Sequence, residues 1–313
     1  MASNRTVAGF LVCAVLGSGA TGALAQPFGF IVNAGDPTSD GTHDNLWRVN
    51  LASGSADRIG PLNLTAPGSN VIQSDVEGLA LETSTFLYGV NDASKSLVTI
   101  STSQGTATTL DRPIDNLRLG TGGELDPGLA FDCQGRLLMV SPTRRSLYRL
   151  DKLSGQATVI GAEGRLGVRI ADIAVRGDEA FGIGIAGDEG LYRIDTANGT
   201  STLVGRFSSD IVLANAGMDF DTAGNLWAVG HIVDGQGQPQ PSRILRIDRA
   251  TGAATPGPTT RTGVKGLAIT PTRCDVSGTP PPAPPVGVPV TSWPGLLLLA
   301  LVLLGAGLRR RPA

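Results

Sequence analysis

Leu191-Tyr-Arg-Ile-Asp-Thr-Ala-Asn-Gly-Thr-Ser-Thr-Leu-Val-Gly205 reads as an apolar strand, a polar turn centred on Asn198-Gly199, and a second strand. Four other stretches repeat it: Leu46-Trp-Arg-Val-Asn50 with Ser53-Gly54, Leu97-Val-Thr-Ile-Ser101 with Gln104-Gly105, Leu147-Tyr-Arg-Leu-Asp151 with Ser154-Gly155, and Ile244-Leu-Arg-Ile-Asp248 with Thr251-Gly252. Successive copies lie 51, 50, 44 and 53 residues apart. A β-patterned period near fifty predicts a β-propeller. The glycine in each turn supplies the positive φ that such connections need.

Upstream of the hairpins runs a second set: Gly78-Leu-Ala-Leu81, Gly128-Leu-Ala-Phe131, Asp172-Ile-Ala-Val175, Gly217-Met-Asp-Phe220 and Gly266-Leu-Ala-Ile269. Alternating small and large residues suit innermost strands crowded around an axis. Between each inner strand and its hairpin lies another strand, such as Phe86–Val90, Arg136–Val140 or Asn225–Val229, so each blade is four-stranded. The fifth inner strand has no hairpin after it, and the first hairpin, at 46–59, has no inner strand before it. The two ends are therefore expected to share one blade, with Phe28-Gly-Phe-Ile-Val32 as its second strand, which removes free sheet edges around the ring. The expected fold is all-β, a five-bladed propeller over residues 27–274; six blades is the alternative if residues 111–127 hide strands.

Composition excludes several functions. A net charge of -2 offers no basic stripe for nucleic acid, and aromatics at 4% make a poor stacking platform. Two histidines, His43 and His231, leave no multi-histidine metal centre within one chain. There is no Gly-x-Ser-x-Gly elbow and no Cys–His arrangement, and Gly120-Thr-Gly-Gly123 lacks a following helix to cradle phosphate.

Residues 1–25 have the parts of a secretory signal peptide: Arg5, an apolar core from Val7 to Leu16, and Ala23-Leu-Ala25 as a cleavage site. Its removal takes Cys13 and leaves Cys133 and Cys274, which either pair or stay free. Residues 275–287 form a proline-rich linker. Residues 288–313 run from Val288-Pro-Val-Thr-Ser-Trp-Pro-Gly295 through a leucine-rich stretch to Arg309-Arg-Arg311, the length and charge order of a transmembrane helix with a cytoplasmic basic tail.

That tripartite end, with Val288, Pro289, Trp293, Gly295, Arg309, Arg310 and Arg311, resembles the PEP-CTERM class of bacterial sorting signals, closest to its IPTL-CTERM subtype. The chain departs from the subtype at Pro294 and at Val290-Thr291. The resemblance implies a Gram-negative bacterium, processing by signal peptidase and an exosortase-type enzyme, and membrane attachment through the C-terminal helix before processing. The destination would be the cell surface, outer envelope or extracellular matrix. A plain transmembrane anchor is the alternative. The repeats themselves resemble those of uncharacterised secreted bacterial propellers with Leu-Tyr-Arg-Ile-Asp-x-x-x-Gly motifs.

Strand direction sorts the loops onto two faces. The loops entering inner strands share a face with the turns between second and third strands. That face should collect Asp36, Asp40, His43, Asp44, Arg144, Arg145, His231 and Asp234, with Asp75, Glu77, Asp126 and Lys265 around the axis. The Asp36–Asp44 loop matches no calcium-loop signature and reads as a solvated acidic loop. Cys133 and Cys274 fall on the opposite face, where a disulfide would staple the ring-closing strand. The candidate binding residues are Glu77, Asp172, Asp219, Lys265, Arg144, Arg145 and His231. No motif calls for an organic cofactor; a divalent cation such as Ca2+ is the one cofactor these carboxylates suggest. The leading expectation is a non-catalytic binding or envelope-associated protein with an unknown surface ligand. The second is a metal-dependent, lactonase-like hydrolase holding an axial cation near Glu77, Asp172 and Asp219.

Overall fold

The computed structural model describes residues 27–33, 44–65, 74–112, 114–233, 236 and 238–274. The segments expected to be a signal peptide, a proline linker and a sorting signal lie outside them, as do most of the Asp36–Asp44 loop and Asp234. Two compact units divide at Arg273, and of the second only Cys274 is described. Among the described residues there are no helices, so none is long and apolar enough to cross a membrane.

Among the described residues, twenty strands form five four-stranded antiparallel sheets. β1 (Phe28–Asn33), β2 (Asn45–Asn50) and β3 (Ala56–Pro61) belong to the closing blade. β4 (Val76–Leu81), β5 (Phe86–Asn91), β6 (Ser96–Ser101) and β7 (Ala107–Thr109) make the next. β8 (Gly128–Phe131), β9 (Leu137–Ser141), β10 (Ser146–Leu150) and β11 (Ala157–Ile160) follow. Then come β12 (Ile170–Arg176), β13 (Glu179–Gly184), β14 (Gly190–Asp195) and β15 (Thr200–Arg206). β16 (Asn215–Phe220), β17 (Leu226–Val233), β18 (Pro239–Ile247) and β19 (Ala254–Thr262) make the last complete blade, and β20 (Val264–Ala268) returns to β1. The closing register pairs Phe30 with Ala268, Ile31 with Leu267 and Val32 with Gly266. The two ends thus share a blade. Residues 111–127 contain no strand among those described, so the six-bladed alternative is wrong. That segment instead buries Leu117 and Leu125 between two blades, with the Asn116 side chain bonded to both the N–H and the carbonyl of Leu97.

The core is five clusters, each shared by two neighbouring sheets, which is one cluster for every interface of a closed five-membered ring. Period-two alternation does the sorting. In β14, Leu191 packs toward the β16 blade, whereas Tyr192 and Ile194 pack toward the β8 blade. The aspartate at the end of three of the five third strands is a turn device: Asp195 Oδ1 accepts the N–H groups of Ala197 and Asn198, and Asp151 and Asp248 do the same in their turns. The following glycine is required twice over. Gly199 has φ +69°, and a Cβ there would strike the Ile160 carbonyl of the neighbouring blade.

At the axis, each inner strand packs on the next. A Cβ on Gly78 would lie 2.5 Å from the Pro127 carbonyl oxygen, and a Cβ on Gly217 would run into Gly266 and Leu267. Small residues at these positions are what let five strands converge. On the opposite face, the chain after β20 crosses toward other blades: Thr272 Oγ1 donates to the Phe131 carbonyl at 2.8 Å, and Gly177 N–H donates to that of Arg273. Cys133 Sγ lies 3.8 Å from the Arg273 carbonyl oxygen. Cys133 and Cys274 are each disulfide-bonded.

Candidate functional site

The face with the inter-blade loops carries a buried carboxylate cluster at the axis. Its centre is Glu77. The register of β4 on β5 slips between Glu77 and Leu79, leaving Gly78 as an extra residue with φ +57°. Such a bulge re-aims the adjoining side chain. Glu77 Oε1 accepts from Lys265 Nζ at 2.7 Å, and the same ammonium also pairs with Asp75. Glu77 Oε2 is buried and receives no hydrogen bond. One carboxyl oxygen from each of Glu77, Asp92 and Asp126 lies within 4.8 Å of the others.

Local structure fixes each neighbour. Asp92 ends the β5 edge of a four-residue turn; its Oδ1 accepts from Lys95 Nζ at 2.8 Å and its Oδ2 from Leu125 N–H at 2.9 Å. Asp126 holds the backbone in the left-handed region, φ +47°. Asp44, 3% exposed, accepts the Val76 N–H at 2.5 Å, so the last residue of the acidic loop is a buried anchor rather than a solvated charge.

Burial dominates the electrostatics. It pushes the Glu77 carboxyl up to about 8, with Lys265 opposing and Asp126 adding to the rise. Burial likewise brings Asp44 to about 7 and raises Asp126, the latter helped by Asp92 and Glu124. For Lys265, burial pulls downward, but the Glu77 and Asp75 carboxylates outweigh it and hold the ammonium above its ordinary range. Glu77 and Asp126 face each other as two acceptors, and only a proton on one of them makes the pair a hydrogen bond.

The remaining sequence candidates divide between structure and surface. Asp172, 0% exposed, occupies the position that is glycine in the other four inner strands. Its Oδ1 accepts N–H groups from Leu129 and Ile173 at 3.0 and 2.9 Å, and its Oδ2 accepts from Met218 at 2.7 Å. Asp219 accepts from Phe220, Ile269 and Thr270. Both carboxylates bond backbone N–H groups of neighbouring inner strands; the carboxylates grouped with Glu77 among the described residues are Asp92 and Asp126. His231 sits opposite Asn215 in the β16–β17 register; its Nε2 has no partner, and burial followed by the Lys265 charge lowers its pKa. Both influences favour the neutral ring.

Arg144 and Arg145 part company. Arg144 Nη2 donates to the Leu119 carbonyl at 2.8 Å. Arg145 lines a depression of roughly 410 Å³ with Asp126, Arg169, Ile185 and Ala186. Three of these residues, Asp126, Arg145 and Ala186, have φ near +50°, where a non-glycine side chain is strained. No hydrogen bond or ion pair is made by the Arg145 guanidinium among the described residues. On the opposite face a groove of about 370 Å³ holds Arg136, Arg149 and Lys152, of which Arg136 is paired with Asp132 and Lys152 with Glu82.

Residues 79–266, more than half of the chain, match a family described as "Repeat of unknown function" (DUF6923). Comparison with curated proteins by sequence finds no match. Similar solved structures include the nidogen/laminin complex, at 12% identity over 79% of this chain and 100% of that one, with a TM-score of 0.47. A gluconolactonase from Xanthomonas campestris matches at 13% identity over 79% and 84%, with a TM-score of 0.44. Virginiamycin B lyase from Staphylococcus aureus matches at 15% identity over 75% and 71%, with a TM-score of 0.40. These named proteins differ in what they do and choose nothing for this chain.

Proposed function

For a chain that belongs to the DUF6923 family of repeats of unknown function, we propose the role of an exported, surface-sorted propeller that binds a small anionic group on its loop-bearing face without transforming it. The observation that carries this reading is Arg145: a charged side chain without a partner among the described residues, kept in a strained backbone conformation beside an apolar wall. Glycine there would relieve the strain and is the residue the turn geometry prefers. The Arg169 guanidinium in the same depression donates, among the described residues, only to the Ala186 carbonyl, at 3.3 Å, and supplies a second positive charge. A carboxylate-bearing ligand fits two guanidinium groups well. Export by signal peptidase, passage through a membrane-anchored intermediate and sorting by an exosortase-type enzyme are supported by the sequence motifs at residues 1–25 and 288–313.

A second reading, a hydrolase with an axial cation, is favoured by the grouping of Glu77, Asp92 and Asp126. One set of measurements separates them. The purified chain would be titrated with an oligouronate and a carboxylate-rich peptide, and incubated with a panel of lactones and esters. The binding reading expects saturable binding of at least one probe, weakened about tenfold or more by Arg145→Ala, as loss of one charge-assisted hydrogen bond implies. It expects no turnover. Hydrolysis abolished by Glu77→Gln would establish the second reading, and binding untouched by both Arg145→Ala and Arg169→Ala would remove the first.

A further inference from the structure

We propose that Glu77, Asp92 and Asp126 together hold one divalent, oxygen-seeking cation at the axis of the loop-bearing face, and that this cation is Ca2+. The three oxygens lie within 4.8 Å of one another. Three protein carboxylates suit Ca2+, which takes six to eight oxygens, better than Mg2+, which ordinarily binds through one or two carboxylates and keeps several waters. The site stands on the carboxylates alone and owes nothing to the reading of Arg145.

Acidic residues gather at many surfaces, so the decisive feature is a different one: Glu77 Oε2. Glu77 is 2% exposed, and no donor reaches this oxygen. Neither nearby ammonium serves it. Lys265 is spent on Glu77 Oε1 and Asp75, and Lys95 on the Asp92 carboxylate and the Asp92 carbonyl. A carboxyl oxygen of Asp126 lies within 4.8 Å of one of Glu77. A buried acceptor this close to a half-buried one needs something positive between them. The backbone has already been bent to aim the ligands, through the Gly78 bulge beneath Glu77 and the left-handed Asp126. Asp126 is only half-buried, which leaves an open side for the waters that complete a calcium sphere.

A proton shared by Glu77 and Asp126 would satisfy the same oxygen, and the experiment is built to tell the two apart. The full chain would be stripped with EDTA, then titrated calorimetrically with CaCl2 and melted with and without excess CaCl2 or MgCl2. Glu77→Gln and Asp126→Asn would be treated in parallel. The proposal expects one Ca2+ per chain and a Tm rise of about 5–10 °C at saturation, with a much smaller rise in Mg2+. In both variants the rise disappears, while their metal-free Tm equals or exceeds that of the native chain, because a buried repulsion has been removed. A native chain that neither binds Ca2+ nor gains Tm from it overturns the proposal in favour of the shared proton. Retention of the full rise in both variants overturns the assignment of ligands, and an equal rise in Mg2+ overturns the choice of ion. If one variant fails to fold, the native titration and the other variant still decide.

Discussion

Replacing Asp172 with glycine sets two kinds of reasoning against each other. The other four inner strands carry Gly78, Gly128, Gly217 and Gly266 at this position, so repeat consensus predicts that Asp172→Gly is harmless or stabilising. The geometry predicts the reverse. Asp172 takes N–H groups from Leu129, Ile173 and Met218, and thereby joins three consecutive inner strands, β8, β12 and β16, through one carboxylate. Hydrogen bonds to a charged acceptor are worth about 1.5–3 kcal/mol each, so losing three withdraws roughly 4–9 kcal/mol. Against that stands the cost of a fully buried carboxylate, visible as a pKa held well above the ordinary range by desolvation. Removing it returns several kcal/mol. The net loss is about 2–5 kcal/mol, a Tm fall on the order of 5–15 °C for a domain of this size. Asp172→Asn should fall between the two, because one oxygen survives but an amide N–H2 then meets the Met218 N–H. Thermal melts followed by far-UV circular dichroism, checked by urea titration, read all three. A glycine variant as stable as the native chain would show that the carboxylate contributes no net stability and that the inter-blade bonding argument is wrong.

Two further outcomes follow from buried and cross-linked groups. Asp44 and Asp219 are pushed up to about 7, chiefly by burial, whereas aspartates of the unfolded chain ionise near 3.8. The native state therefore holds these protons more tightly, and the stability they lend is full below about pH 4 and lost as pH rises through 7. Turn aspartates act oppositely: N–H groups of Ser154 and Leu153 hold Asp151 low, and those of Ala250 and Thr251 hold Asp248 low, so their contribution vanishes in strong acid. Tm in EDTA should peak between about pH 4 and 6 and decline toward pH 8; a curve still climbing at pH 8 would contradict the burial account. For the cysteines, we propose that Cys133 pairs with Cys274, so a chain beginning at Gln26 should show no free thiol and should lose stability on reduction. Closing so long a loop is worth about 4–5 kcal/mol on chain-entropy grounds, less any strain. Two reactive thiols in the unreduced protein would refute the pairing.

The ring was legible because its causes are local and repeated. Leu-Tyr-Arg-Ile-Asp with a glycine four residues after the aspartate needs only strand alternation and one turn to be understood, and the structure keeps both in β14 and β15. Closure was legible for a similar reason: an inner strand lacking its hairpin and a hairpin lacking its inner strand have one economical solution, realised in the β20–β1 register. The 111–127 segment was ambiguous because Leu117 and Leu125 are as apolar as strand residues, although they fill a wedge between blades without pairing.

The axial cluster was only half readable, and the reason lies in which partners share a repeat position. Glu77 and Lys265 each stand immediately before the inner-strand glycine, in blades that adjoin at the axis, so aligning the copies is enough to bring them together. Asp92 has no such address. It sits in a turn between second and third strands, where an aspartate ordinarily needs no explanation beyond the turn itself. What marks it is the company of its turn: Lys95 has φ +52° and Arg145, at the corresponding end of the next blade's turn, has φ +49°. A turn that would accept glycine instead keeps a cation at that corner in two successive blades, one turned inward onto Asp92 and the other left facing the depression. Backbone strain of about 1 kcal/mol or more at each is tolerated for the placement of a charge. The functional face is thus distinguished less by its apolar pattern, which all five blades share, than by where charged residues replace the small ones that the fold prefers.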